Sequence, residues 1–192
     1  VDLTYQNLES RIAYQFKNRD LLQRSLTHPS YLQQHGLDEE HNQRLEFLGD
    51  AVLGMSLADL LFHSLPDDRE GLMTRYRSML VNGKQLAKLS EEIGLPDYIR
   101  LSDAETQNGG KSRASILEDA FEALIGAIYL DGGFEAAKSS ISKIYGDLMS
   151  RLDKSIDAHN PKGQLQELLQ PKLGNAAIVY EVVEEQGPAH DK

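Results

Sequence analysis

Apolar positions recur at helical spacing through most of this chain. Leu8, Ile12 and Phe16 lie four apart within residues 4–18 and predict an opening helix. Asn18 is placed to cap a second, which carries Leu21, Leu22, Ser25 and Leu26 as far as Thr27-His28-Pro29-Ser30, where the proline favours an extended or turn conformation before it. A polar loop from Gln33 to His41 follows. Asn42 then caps a long helix from Gln43 to Phe62, closed by Leu65-Pro66-Asp67. Residues 71–82 and 84–93 predict two more amphipathic helices, parted at Gly83 and stopped by Gly94-Leu95-Pro96.

Residues 102–113, with Asn108-Gly109-Gly110-Lys111, lack periodicity and predict a flexible polar loop. A helix over 115–130 ends at Asp131-Gly132-Gly133. The last helix of this part runs over 134–152 with Ile141, Ile144, Tyr145 and Leu148 inward. Nothing in residues 1–153 asks for a sheet, so the predicted fold class there is all-α. Residues 154–160 form a short polar linker. The character changes at Pro161: a helix start and the run Gln164 to Leu169 precede Ile178-Val179-Tyr180-Glu181-Val182-Val183, whose β-branched alternation predicts a strand. Residues 161–192 therefore predict an incomplete α+β domain.

Two of these helices carry acids where apolar residues dominate. Glu46 and Asp50 are four apart, and Asp119 and Glu122 three apart, so each pair projects from one face of its own helix. Leu45, Phe47, Leu48, Ala51, Val52 and Leu53 surround the first pair, and Ile116, Leu117, Ala120, Phe121, Leu124 and Ile125 the second, which reads both helices as mostly core. Gly49 agrees: a helical glycine costs roughly 1 kcal/mol against alanine, and its usual compensation is close approach of another backbone or a ligand. An ionised carboxylate taken out of water costs several kcal/mol. Two opposed acid pairs would form a four-oxygen cage that needs a cation, and oxygen ligation points to Mg²⁺ or Mn²⁺ rather than zinc.

Composition narrows the classes. The chain has 192 residues, room for one ordinary domain and a fragment of another. It contains no cysteine, which excludes disulfides, thiolate catalysis and cysteine-type zinc sites and fits a reducing compartment. Without an eighteen-residue apolar run or a basic leader, neither a membrane span nor a signal peptide is expected, and a cytoplasmic location is. The opening Val1 suggests a portion of something longer. Net charge is −10, from 20 basic and 30 acidic residues. That argues against a generic nucleic-acid binder, unless bound divalent ions offset the acids where a phosphate approaches. Arg69, Arg75, Arg77, Lys84, Arg100, Lys111 and Arg113 fall between the acidic helices and could line that approach.

The residues Asn42-Gln43-Arg44-Leu45-Glu46-Phe47-Leu48-Gly49-Asp50 closely resemble the signature nonapeptide of the ribonuclease III family, and residues 115–126 resemble its second acidic motif. The likeness extends over Thr27-His28-Pro29-Ser30-Tyr31 and the helical part to about Asp153. Leu165-Gln166-Glu167 and Gly187-Pro188-Ala189-His190 are similar to the opening of a double-stranded-RNA-binding domain. This resemblance implies an all-α endonuclease domain with the ribonuclease III fold over residues 1–153 and a truncated RNA-binding domain over 161–192. It implies a homodimer that cuts double-stranded RNA with Mg²⁺, Mn²⁺ substituting, and uses no organic cofactor and no membrane. Products with 5′-phosphate and 3′-hydroxyl ends and a part in rRNA and mRNA processing come with it.

Carried over by position, the implied metal ligands are Glu46, Asp50, Asp119 and Glu122, with Asp50 and Glu122 catalytic. Glu118 matches no acidic family position and is set aside as solvated. Phe47, a core residue by pattern, is by resemblance an insertion into the partner subunit. Asn108, Lys111 and Arg113 fall in what resembles an RNA-contacting loop, and Gln166, Glu167, Gln170 and His190 match RNA-touching positions of the second domain. Gln43 stands where the family usually has glutamate; it keeps size and hydrogen-bonding capacity, so it can orient RNA or water, but it adds no charge to the metal field. The competing expectation is a catalytically weak double-stranded-RNA-binding protein, supported by Gln43 and the acidic balance. A di-iron bundle is remote because its Glu-x-x-His pattern is missing.

Overall fold

The most apolar segment of the chain becomes its central helix. In the computed structural model, which describes residues 5–156, Ala114–Gly132 is helical and Ile116, Leu117, Ala120, Phe121 and the whole run Ala123 to Ile128 are buried. A helix apolar nearly all round must be wrapped by others. In chain order the described helices are α1 (Gln6–Ile12), α2 (Arg19–Ser25), α3 (Pro29–His35), α4 (Gln43–Ser64), α5 (Glu70–Leu80), α6 (Gly83–Glu92), α7 (Asp103–Gln107), α8 (Ala114–Gly132), α9 (Phe134–Tyr145) and α10 (Leu148–Ile156). Helices α2, α4, α6 and α9 pack around α8, and α4 shares its most extensive contact. The chain divides into two units, Val1–Leu152 and Asp153–Lys192. Among the described residues the only strand-like pairing is a single bridge between Thr27 and Arg100, so this part is all-α.

Helix α4 buries one stripe against α8. Leu45, Gly49, Val52, Leu53, Ser56, Leu57 and Leu61 are buried, at steps of three, four and one that trace a single helical face. The crossing is close because glycines meet there. A Cβ on Gly49 would overlap the carbonyl of Glu122, whose carbon would stand at 2.6 Å, and one on Gly126 would overlap the carbonyl oxygen of Leu45. Each glycine costs about 1 kcal/mol in helix propensity. Each buried leucine or phenylalanine contributes roughly 1.5–3 kcal/mol, so the tight contact that seats many of them wins.

Polar keys fix the surrounding helices. Ser90 Oγ donates to Leu117 O at 2.9 Å, tying α6 to α8, and Tyr145 Oη donates to Leu80 O at 2.9 Å, tying α9 to α5. Asp131 accepts from the backbone N–H of Lys17 and Asn18 and from Tyr14 Oη at 2.7–2.9 Å, which clamps the α1–α2 corner to the end of α8.

The predicted boundaries change where such long-range contacts intervene. The opening helix stops at Ile12, with Ala13 left-handed at φ 51°; Phe16 is still buried, because its N–H is captured by Glu9 Oε1 at 2.8 Å rather than by a helical turn. His28, the residue before Pro29, is extended (φ −74°, ψ 147°) as the proline favours, and accepts from Ser30 N, while Pro29 itself opens α3, where its missing N–H is no loss. Asn18 caps α2 through Asp20 N, whereas Asn42 stands at the start of α4 without a side-chain cap. The 102–113 loop contains the short helix α7, capped by Ser102, and a single 3₁₀ turn. The long last helix breaks at Gly146 (φ 63°, ψ −132°) into α9 and α10. The strand predicted near Ile178 and the rest of the second segment lie outside the described residues.

Candidate active site at the crossing of α4 and α8

The acids stand at the point of closest helix approach. Gly49 lies between Glu46 and Asp50 in α4, and the backbone it touches is that of Glu122 in α8, with Asp119 one turn earlier. Glu46, Asp119 and Glu122 are half-buried and Asp50 is exposed. Burial and then repulsion from Asp50, Glu118, Glu46 and Asp119 push the Glu122 carboxyl up to about 8. Burial, with Glu46 and Glu118, pushes Asp119 up to about 6, and burial, with Glu118 and Asp50, raises Glu46. Acids of one helix therefore act on acids of the other. Among the described residues, though, no three histidine, aspartate or glutamate side chains are grouped closely enough to hold a metal ion. The helices bring the acids to one crossing, where their charges repel one another.

This donor set fits a hard divalent cation. It is all carboxylate oxygen, and Asp119 and Glu122 are half-withdrawn from water with raised proton affinities that a cation would reverse. A pH prediction follows. An unfolded glutamate ionises near 4.5 while folded Glu122 holds its proton to about 8, so the folded state binds more protons between those values and stability falls as pH rises through that window. Asp119 adds the same sign between 3.8 and about 6. Metal-free protein should lose melting temperature from pH 5 to pH 8, and Mg²⁺ should restore more of it at pH 8 than at pH 5; thermal denaturation at both values, with and without the ion, checks this.

The ribonuclease-III-like family profile matches residues 18–148, across α2 to α9 and both acidic helices. The chain belongs to the ribonuclease III family. It is 39% identical over 188 residues to ribonuclease 3 of Oleidesulfovibrio alaskensis, covering 98% of this chain and 82% of that protein. Ribonuclease 3 of Pseudomonas aeruginosa is 44% identical over 183 residues, covering 95% and 77%. A solved structure of the nuclease domain of ribonuclease III from Campylobacter jejuni, described for flexibility in a region involved in dimer formation, superposes with TM-score 0.68 at 44% identity, over 73% of this chain and 95% of that one. The protein is an endoribonuclease of the ribonuclease III type, acting on double-stranded RNA.

The remaining expected site residues fall in three places. Gln43 is exposed in the first turn of α4, one turn ahead of Glu46. Phe47 is 83% exposed, which corrects its reading as core, and Ala51 is exposed beside it on α4. Asn108, Lys111 and Arg113 lie just before α8; Arg113 pairs with Glu105 at 2.9 Å, and Lys111 is half-buried. Arg100, expected to line an approach, is instead engaged within the fold, stacked 4.1 Å over the Tyr31 ring and donating to Thr27 Oγ1. Gln166, Glu167, Gln170 and His190 lie outside the described residues. Sequence reasoning missed Glu118. It is half-buried, not solvated, and repels Glu46, Asp119 and Glu122. The signal was available: Glu118 and Glu122 are four apart, the spacing that put Glu46 with Asp50.

Proposed function

We propose that this ribonuclease III is a Mg²⁺-dependent enzyme, with Mn²⁺ able to substitute, that cuts double-stranded RNA to 5′-phosphate and 3′-hydroxyl ends and serves rRNA and mRNA processing in the cytoplasm. The observation that carries the metal reading is the electrostatic coupling of Glu122 and Asp119 in α8 with Glu46 and Asp50 in α4, at a glycine-tight crossing. Glu46, Asp50, Asp119 and Glu122 would hold the ion. When bound, a divalent ion supplies an activated water and polarises the phosphate. The chain's own contribution is positional. Half-buried Glu122 and Asp119 would release their protons to solvent when a cation takes their place, exposed Asp50 would stay open to the incoming strand, and Gln43 would offer an uncharged donor and acceptor to the sugar-phosphate edge. Shape, 2′-hydroxyls and phosphates would govern choice of RNA, since the narrow major groove of the duplex hides base edges.

The proposed organisation is a nuclease domain at 1–153, a linker at 154–160 and the start of a double-stranded-RNA-binding domain at 161–192, where Gln166, Glu167, Gln170 and His190 would touch RNA; the division of the chain after Leu152 supports the first boundary. Among the described residues no helix is long and apolar enough to cross a membrane. A long RNA duplex incubated with Mg²⁺ and, separately, Ca²⁺ tests the activity. Products with Mg²⁺ alone support it, whereas binding without products under both ions supports the catalytically weak binder.

A homodimer is proposed through α4. Phe47, Met55 and Phe62 are 83, 62 and 64% exposed at steps of eight and seven along that helix, an apolar stripe that a second copy would cover. Sedimentation should give twice the chain mass. Phe47→Ala should weaken association by about 2 kcal/mol or more, as for a central aromatic anchor; an unchanged dimer in that variant would contradict its role.

A further inference from the structure

Glu118 is the acid at this centre that the proposed ligand set leaves unused. Its carboxylate lies against Gly83, the first residue of α6: a Cβ built there would stand 2.7 Å from Glu118 Cδ and 2.9 Å from Oε1. A Cβ at that point would push the carboxylate aside. Asn82 satisfies the N–H of Gln85, while the other first-turn amides and the positive end of α6 remain on the side where an anion is favoured. At the same time Glu118 is one residue from Asp119 and one turn from Glu122, and acts on both and on Glu46. It thus belongs to two structures, the first turn of α6 and the acidic crossing of α4 with α8.

On the reading of the four acids as a divalent-ion site, we propose that Glu118 is a positioning residue of that site: seated on Gly83, it ties α8 to α6 beside the ligands and adds negative charge that strengthens cation uptake without itself reaching the ion. The seat gives the extra acid a place of its own beside the four ligands. It places that charge beside the N-terminal end of α6, where an anion is favoured.

The test is Mn²⁺ binding to the full chain without RNA, followed by the paramagnetic resonance of the free ion, for wild type, Glu118→Gln, Gly83→Ala and Glu122→Gln. Glu118→Gln keeps size and removes charge, so a purely packing role would leave ion affinity unmoved. Removing the positioning charge is expected to weaken binding by about tenfold, in the range of outer-shell partners of metal ligands. Gly83→Ala keeps the charge but evicts it from its seat, and should weaken binding in the same direction. In duplex cleavage both should raise the Mg²⁺ concentration for half-maximal rate more than they lower the rate at saturating Mg²⁺. Wild-type affinity in Glu118→Gln overturns the proposal while leaving the ligand reading intact, provided Glu122→Gln loses binding. Weakened binding in Glu118→Gln with full binding in folded Gly83→Ala overturns the seat. Absence of Mn²⁺ uptake by wild type overturns both readings at once.

Discussion

Glu122→Gln is expected to abolish cleavage of duplex RNA while leaving duplex binding measurable and making the metal-free fold more stable. The three effects share one cause. Glu122 stands where α8 touches α4, and its carboxyl is raised to about 8 by burial and by Asp50, Glu118, Glu46 and Asp119. The amide keeps the shape but cannot carry the charge that a cation needs. Outer-shell partners of a metal site are worth 10–100-fold, so loss of a direct ligand should exceed about 100-fold in rate. RNA affinity rests on phosphate contacts spread over the surface, so it should persist. Removing an acid that folding holds protonated removes its pH penalty, so the melting temperature of metal-free protein at pH 8 should rise. Quantitative cleavage, a gel-shift assay and thermal denaturation of one preparation read all three. A variant that turns over at wild-type rate, or one that loses activity only because it unfolds, would count against the assignment.

Gly49→Ala should be the most damaging small substitution in the fold. One methyl group would overlap the Glu122 carbonyl and stand 2.9 Å from Gly126 N, and neither neighbour is a side chain that can turn away. The helices must separate at their closest point. Alanine's better helix propensity returns only about 1 kcal/mol, against an overpacking cost of about 3 kcal/mol or more when backbone must move. The denaturant midpoint should fall accordingly, and cleavage should fall even under conditions where the variant is folded, because the two acid pairs move apart. Gly54→Ala, on the same helix with open space at its Cβ, is the control and should be neutral or slightly stabilising. Equal stability of Gly49→Ala and Gly54→Ala would contradict the close crossing.

What could be read from the sequence was what local spacing determines. Acid pairs three and four apart had to share helix faces, and the apolar runs around them had to be long helices; α4 and α8 follow, and Asn18 caps α2 as its side chain allows. What could not be read depends on contacts between distant positions. The opening helix ends at Ala13 because Glu9 takes the N–H of Phe16 and because Asp131, more than a hundred residues away, holds the corner behind it. Phe47 sits in an apolar run yet faces outward, since the buried stripe of α4 passes through Leu45, Gly49 and Val52 instead. Glu118 lacks a family counterpart, although its four-residue step to Glu122 places it with the acids. Its seat depends on Gly83, thirty-five residues earlier, which periodicity treats only as a break between helices.

The central claim is that acids from two helices converge on one divalent ion. Anomalous diffraction from crystals grown with Mn²⁺ at pH 8 tests it most directly. A peak bounded by carboxylate oxygens of Glu46, Asp50, Asp119 and Glu122 is the predicted result; Mn²⁺ bound elsewhere, with those four side chains still apart in the same crystal, would contradict it.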